Sequence, residues 1–328
     1  MKFVKITDRD GPDRLVLAER DAPEPETGEI LLDVAAAGVN NADLLQVAGR
    51  YPAPPGAPDW PGLEVSGTVA AVGPGVDGVV AGDRVAALLA GGGYAEQVVV
   101  PAAQVLPVPA GVDLVDAAAL PEAAATVWST LWSPELGAGL RPGQWLLVHG
   151  GSGGVGSFAV QAAHAAGVRV VTTAGGPERA ARCRGLGADV VVDHRTEDFV
   201  EAVRAATDGR GVDVVLDVVG AAYLGRNLDA LATGGRLAVI GLQGGRRGEL
   251  DLGLLLAKRA RVLGTTLRSR PAEEKAAVVA GVARDLWPLV AAGTVRPVVA
   301  QRLPLGEAAR AHDLLRSGAV FGKVLLLP

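Results

Sequence analysis

Trp145-Leu-Leu-Val-His149-Gly150-Gly151-Ser152-Gly153-Gly154-Val155-Gly156 is the stretch on which the fold of this chain turns. Its first four residues are an apolar run that suits a strand buried on both faces, and Val155 to Ala166 carries the pattern of a helix. Between them, Gly151-Ser-Gly153-Gly-Val-Gly156 fits G-x-G-x-x-G. In a chain with 45 glycines that pattern alone says little. Its setting says more, because a second strand, Arg169 to Thr173, begins roughly fifteen residues on. Glycines there permit a tight turn and close backbone approach to a pyrophosphate. The free N–H groups and dipole at the helix start favour its negative charge. The stretch therefore reads as a dinucleotide site on a βαβ unit.

Working outward, strand and helix keep alternating. Pro177 to Leu186 reads as a helix, Asp189 to Asp193 as a strand and Glu197 to Ala206 as a helix. Val212 to Val218 follows as a strand, Ala221 to Leu231 as a helix, then Arg236 to Gly241 and Arg261 to Leu267 as strands. Strict succession implies right-handed βαβ units and a doubly wound parallel sheet. Ahead of Pro109 the pattern differs: Glu29 to Val34, Glu64 to Val72, Asp83 to Leu88 and Tyr94 to Val100 are short strand-like runs, punctuated by Gly or Pro every 8 to 12 residues, as in a small barrel. Only Asn40 to Ala48 looks helical there, with Leu44, Leu45 and Val47 expected inward. Val112 to Leu131 is Ala-rich and suits a helix apart from Pro121. After Pro271 the chain predicts a long helix to about Ala292, a short strand near Val298, a helix over Glu307 to Arg316 and a strand over Lys323 to Leu327. Gly91 to Gly93 and Gly244 to Gly245 read as mobile loops.

Length and composition bound the rest. The 328 residues suit two domains, and 49% hydrophobic with 20% charged residues suffices for two cores. No apolar run approaches the roughly 20 residues of a membrane span. The opening MKFVKITDRDG lacks the apolar core of a secretory signal, which points to the cytoplasm. A net charge of -5 with mixed signs disfavours nucleic acid as main partner. The single cysteine, Cys183, excludes an intramolecular disulfide and a multi-Cys zinc site.

The end of the second strand bears on which dinucleotide is bound. An acid there would hydrogen-bond the ribose 2′-OH of NAD. This chain has Thr173-Ala-Gly175-Gly176, small and neutral, with Arg179 a turn later, so NADPH is expected. The plainer alternative makes Arg179 a solvated helix residue.

Several stretches together resemble the medium-chain dehydrogenase/reductases, in the zinc-free quinone oxidoreductase branch and its p53-inducible type. They are Gly38-Val-Asn-Asn-Ala-Asp-Leu-Leu-Gln-Val-Ala-Gly-Arg-Tyr51-Pro, Pro61-Gly-Leu-Glu-Val-Ser-Gly67, Gly82-Asp-Arg-Val85, Gly92-Gly-Tyr-Ala-Glu96, the glycine loop, Leu186-Gly-Ala-Asp189, Asp217-Val-Val-Gly220 and Leu267-Arg-Ser-Arg270. The resemblance spans essentially the whole chain. It implies an α/β protein with a GroES-like β-barrel catalytic domain, residues 1–122 and 271–328, and a Rossmann NADPH-binding domain, residues 123–270. Zinc enzymes of this superfamily carry Cys and His ligands where this chain has Asn40 and Leu63, so no metal is expected.

The same resemblance implies the site. Asn40, Asp43 and Tyr51 lie on the loop that faces the nicotinamide. Asn40 can hydrogen-bond the cofactor ribose or the substrate. Asp43 can orient the loop, or be only a helix-start charge. Tyr51 can donate to a quinone oxygen, stack on a flat ring, or merely line the barrel lip. Thr126 would lie near the nicotinamide end, and Ser152, Gly153, Gly154 and Val155 around the pyrophosphate. Gly175, Arg179 and His194 would frame the 2′-phosphate and adenine, with His194 a departure from the family's Tyr. Val219, Gly241, Leu242, Gln243, Leu267, Arg268 and Ser269 would close over the nicotinamide half, with Phe321 and Lys323 near the cofactor. Glu64 reads as a buried, paired structural carboxylate, and His164 and His312 as surface or loop histidines. The implied activity is NADPH-dependent reduction of a quinone or similar conjugated carbonyl. Alternatives are an enoyl-thioester reductase and a non-enzymatic NADPH-binding protein. The family also implies a homodimer, with the Arg261 to Leu267 strand pairing across a two-fold axis.

Overall fold

The structure, a computed structural model, describes residues 1–8 and 14–328, so the end of the MKFVKITDRDG opening lies outside the described residues. Its strands are β1 Lys2–Ile6, β2 Leu15–Glu19, β3 Glu29–Gly38, β4 Glu64–Val72, β5 Arg84–Leu88, β6 Gln97–Pro101, β7 Val105–Pro107, β8 Trp145–Val148, β9 Arg169–Ala174, β10 Val190–Asp193, β11 Val212–Asp217, β12 Leu231–Val239, β13 Arg261–Gly264, β14 Val299–Pro304 and β15 Lys323–Leu327. The helices are α1 Asn41–Val47, α2 Pro121–Val127, α3 Gly154–Ala165, α4 Pro177–Gly185, α5 Phe199–Ala206, α6 Leu224–Ala230, α7 Leu252–Lys258, α8 Ala272–Asp285, α9 Trp287–Ala291 and α10 Ala308–Arg316. The chain divides into two compact units: Met1–Ala125 with Leu267–Gly293 and Pro297–Pro328, and Thr126–Thr266 with Thr294–Arg296.

In the first unit, β14-β15-β3-β4-β5-β7 form one sheet, with β6 also paired to β3, and β1-β2 form a separate ribbon. One face of this sheet is packed and the other is wetter, which is why β6 alternates along its length between buried and half-buried positions. Ile30, Leu32, Val65, Val98, Val100, Val324 and Leu326 fill its core. Each such side chain contributes about 1.5–3 kcal/mol when fully buried. The C-terminal strand belongs to this core: β15 pairs antiparallel with β3 at Leu325–Gly38 and Leu326–Ala37.

In the second unit the order β10-β9-β8-β11-β12-β13 is parallel throughout. All four residues of β8 are buried because helices cover both faces. The strand order reverses between β8 and β11, so the crevice beyond their carboxyl ends is the place where this topology accepts a ligand.

The structure corrects several expectations. In α1 the buried residues are Asp43, Gln46 and Val47, whereas Leu44 and Leu45 are half-buried. Polar side chains turn inward there because the facing backbone partners them: Gly62 N–H donates to Asp43 Oδ1 (2.9 Å) and Gln46 Nε2 to Asp59 O (2.8 Å). The long C-terminal helix breaks into α8 and α9 at Leu286, just ahead of Pro288, which has no N–H to continue the ladder. The strand after Gly93 starts at Gln97, and β13 stops at Gly264. Gly91 to Gly93 is buried, with Gly92 N–H on Trp60 O and Gly93 N–H on Gly62 O. The Gly244 loop is exposed yet tied by Gly244 N–H to Val219 O (2.7 Å).

Arg236 on β12 shows how much one buried cation holds. It is 7% exposed and donates to Ala138 O (2.8 Å), Gly139 O (3.3 Å) and Gln144 Oε1 (3.2 Å). Arg236→Ala strands these acceptors and leaves a cavity, and should cost about 3 kcal/mol. Denaturant melts of the two proteins check this, and a loss below about 1 kcal/mol would contradict it.

Candidate functional site

In the second unit the glycine loop is built by close approach. A Cβ on Gly151 would lie 2.1 Å from Thr172 Oγ1, and one on Gly156 2.1 Å from Gly150 O. Larger residues would push the loop off the sheet. The start of α3, at Gly153, receives no side-chain cap, which leaves its first N–H groups for an anion. Ser152 is half-buried and Gly153 exposed, while Gly154 and Val155 open the helix.

Behind the loop lies His149, a residue without an assigned role in the sequence reading. It is 1% exposed, with Nε2 2.7 Å from Asn227 Oδ1 and Nδ1 3.3 Å from Thr173 Oγ1. Thr173 Oγ1 also accepts from Gly150 N–H (3.1 Å). An amide oxygen can only accept, so Nε2 carries the proton, and Thr173 donates to Nδ1. Burial holds the imidazole down at about 4, so it stays neutral. Phe199 and Tyr223 pack edge-on at 4.7 and 4.9 Å. The loop is thus braced through Thr173 and His149 to α6.

The end of β9 itself, Thr173 to Gly176, carries no charged side chain. On the neighbouring strand Asp193 accepts from Gly176 N–H (3.0 Å) and Arg195 N–H (3.1 Å). Arg195 lies over the strand end, with Nε 3.0 Å from where a Gly175 Cβ would stand. Arg179 is half-buried on α4 and His194 is exposed after β10. Arg195 was missed because it follows His194 in a polar turn that carries no periodic signal. On the far side of the switch point, buried Asp217 accepts from Val219 N–H (2.7 Å) and Gly220 N–H (3.0 Å). Gln243 N–H donates to Val218 O (3.2 Å), so Val219, Gly241, Leu242 and Gln243 gather at the ends of β11 and β12. Thr126 is half-buried on α2.

In the first unit a buried polar cluster takes the corner where Asn40 and Leu63 stand. Lys323 forms an ion pair with Glu64 and donates to Asn40 Oδ1 (2.6 Å), while Asn40 Nδ2 donates to Glu64 Oε1 (2.9 Å). Glu64 Oε2 accepts from Glu122 N–H (2.9 Å). Glu64 is 0% exposed, in keeping with a paired structural carboxylate. Asn40 therefore keeps one acceptor lone pair on Oδ1, having committed its donors to Glu64 and, at 3.4 Å, Gly38 O. It is suited to receive a hydroxyl and not to donate to a carbonyl.

The Asp43 oxygens take Asn40 N–H (2.8 Å), Gly62 N–H (2.9 Å) and the Tyr94 hydroxyl (3.2 Å), and it is wholly buried. A carboxylate so enclosed ties the start of α1 to the backbone facing it. Burial raises it to about 6 against the pull of these donors. Tyr94 also contacts His312 Nε2 (3.1 Å), and His312 is 2% exposed. The expectation of a surface or loop His312 is thereby corrected, whereas His164 is exposed on α3. His312 faces inward because α10 packs that face on the barrel core.

Tyr51 is half-buried beneath Arg268, whose guanidinium carbon lies 5.5 Å from the ring centroid. Arg268, 3% exposed, is pinned by Ala90 O (2.7 Å) and Tyr51 O (3.2 Å). Burial foremost, then the charge of Glu122, pushes the Tyr51 phenol up, so it holds its proton. Leu267 and Phe321 are buried in this unit as well. Among the described residues no group of three or more His, Cys, Asp or Glu could hold a metal ion.

Comparisons with known proteins agree with this geometry. Residues 26–110 match the alcohol dehydrogenase GroES-like domain family, and residues 154–283 match the family described as zinc-binding dehydrogenase. The quinone oxidoreductase of Rattus norvegicus is 32% identical over 100% of this chain and 98% of its own. Escherichia coli quinone oxidoreductase complexed with NADPH superposes with a TM-score of 0.88 at 32% identity, covering 100% of both chains. An NAD-dependent alcohol dehydrogenase gives 0.87 at 34%, also over 100% of both chains. The CurK enoyl reductase gives 0.85 at 25%, over 99% of this chain and 98% of that one. With a barrel and a doubly wound sheet matched along its full length, this chain belongs to the medium-chain dehydrogenase/reductases, in the quinone oxidoreductase family.

Proposed function

We propose that this protein is an NADPH-dependent quinone reductase that works without zinc. One observation carries the reading: a pyrophosphate cradle at Gly151 to Gly156 whose neighbouring strand end, small and neutral from Thr173 to Gly176, has the Arg195 guanidinium lying over it. Gly175, Arg179 and His194 complete that end, and Ser152 to Val155 face the pyrophosphate. The family resemblance assigns Asn40, Thr126, Val219, Gly241, Leu242, Gln243, Leu267, Arg268, Ser269, Phe321 and Lys323 to cofactor binding. NADPH, when bound, supplies a hydride. The protein's own part is to orient a flat acceptor, for which Tyr51 offers a protonated phenol stacked against a cation.

The zinc-independent reading rests on donor chemistry. An amide and a hydrocarbon occupy the ligand positions, and the Lys323 ammonium is bonded to that amide, so a divalent cation would meet a positive charge. A second reading, reduction of an enoyl thioester, draws on the likeness to the CurK enoyl reductase and on Tyr51 as a proton donor. For assembly, β13 is the open edge of its sheet, and Val262 (40%), Leu252 (62%) and Leu256 (76%) are exposed beside it, which suits pairing with a second copy. A cytoplasmic setting fits a buried free Cys183 and the lack, among described residues, of any helix long and apolar enough to cross a membrane.

Three measurements test these points. Arg195→Ala should weaken NADPH binding about tenfold or more and leave NADH within twofold; equal losses for both would remove the 2′-phosphate argument. NADPH oxidation followed with naphthoquinone, phenanthrenequinone and a crotonyl thioester, each with and without a chelator, should show quinone turnover insensitive to chelation. Turnover with the thioester alone would favour the second reading, and loss on chelation would restore a metal. Sedimentation should find a dimer that Val262→Arg converts to monomer; a wild-type monomer would refute the edge pairing.

A further inference from the structure

β9 reads Arg169-Val-Val-Thr-Thr-Ala174 and is buried from Val170 onward, with its two threonines on opposite faces of the sheet. A buried hydroxyl needs a partner. Thr172 Oγ1 donates to Val148 O (2.8 Å), within the sheet. Thr173 is 3% exposed and is tied instead to the glycine loop: its Oγ1 accepts from Gly150 N–H (3.1 Å) and lies 3.3 Å from His149 Nδ1, while its carbonyl takes Gly151 N–H (3.0 Å). The direction of these bonds is set at the far end. Asn227 on α6, 0% exposed, offers its amide oxygen to His149 Nε2 at 2.7 Å, so the ring proton sits on Nε2 and Nδ1 can only accept. Thr173 must then donate to Nδ1, which leaves its lone pairs to Gly150. Asn227 Nδ2, by contrast, has no hydrogen-bond partner among the described residues, a cost carried while its oxygen orients the imidazole.

We propose that the Thr173 hydroxyl, aimed by His149 and Asn227, is the positioning group that presets the glycine loop for the pyrophosphate and so sets the affinity for the whole dinucleotide. The inference rests on the cofactor part of the reading above and not on the choice of acceptor. Gly150 is where the hydroxyl acts. Its φ of 74° lies in the left-handed region, where a glycine is held only by its bonds. Its carbonyl takes Gly153 N–H (2.9 Å), and Gly153 is the N-cap residue of α3, so the peptide that Thr173 fixes is the one on which the helix start rests. A loop already held in its binding form forgoes the ordering cost that a slack loop incurs on association. The Thr173 hydroxyl works through Gly150, on the part of the cofactor that NADPH and NADH share. Arg195, over the strand end, bears on the part that differs.

The test titrates the full-length, ligand-free protein with NADPH and with NADH, following cofactor fluorescence. Thr173→Val keeps the shape and drops the hydroxyl; it should weaken both cofactors by the same factor, about tenfold. In the ligand-free protein the same change should speed hydrogen exchange of the Gly150 amide about tenfold or more. Thr173→Ser restores the hydroxyl and should bind both cofactors within about twofold of wild type. His149→Phe, which fills the ring's place against Phe199 and Tyr223, should weaken both in the same way, and adding it to Thr173→Val should cost nothing further. In the wild-type protein, nitrogen resonances of the imidazole should show the Nε2–H tautomer of His149 at neutral pH. Unchanged binding in Thr173→Val, an equal loss in Thr173→Ser, a loss confined to NADPH, additive losses in the double variant, or an Nδ1–H tautomer each overturns the inference. A wild-type protein that binds neither dinucleotide removes the cofactor reading and the inference with it, whereas wild-type binding that Thr173→Val leaves intact overturns the inference alone.

Discussion

The first unit depends on the ion pair between Lys323 and Glu64, because it joins chain segments separated by almost the whole sequence. Lys323 opens β15, whose antiparallel pairing with β3 completes the sheet, and Glu64 opens β4 on the other side of β3. Two ions this deeply buried gain no certain stability over an apolar pair of the same shape, but removing either one leaves an uncompensated charge, at a cost of about 3–5 kcal/mol. What the pair secures is placement. Asn40 is held at both ends of its amide, Glu122 by its N–H, and through Asn40 the start of α1 is set against Asp43. The side chains that would meet an acceptor thus stand on a frame of buried polar bonds.

The second unit solves a similar problem with neutral groups. Its glycine loop must present bare backbone, so nothing on the loop can hold the loop. Support comes from behind, through Thr173, His149 and Asn227. A charged histidine there would face a desolvation cost and bring a cation into the interior; held near 4, it remains a neutral bridge across the whole physiological range. One unit orders its site with paired charges, and the other orders its cradle without them.

Much of this was legible in the residues. The alternation from Trp145 onward identified the parallel sheet, and Lys323 to Leu327 marked the last strand to the residue. The glycine loop was readable because its geometry demands Gly at Gly151 and Gly156. Periodicity failed where polar side chains point inward. In α1 the apolar residues seemed the natural inner face, yet Asp43 and Gln46 won it because loop backbone groups needed partners. His312 and Lys275 look like surface residues in any local window, and only tertiary packing turns them in. Glu122 did leave a trace, a lone charge among the alanines on either side of it.

That trace leads to the charge balance of the barrel interior. Asp43, Glu64 and Glu122 face Arg268, Lys275 and Lys323. Glu64 and Lys323 are in direct contact as an ion pair. Arg268 is pinned by backbone oxygens and stacked on Tyr51, so its charge is diffuse and keeps no carboxylate in contact. Asp43 is served by three donors and ionises before Glu122, whose carboxyl is pushed up by burial first and then by the charge of Glu64.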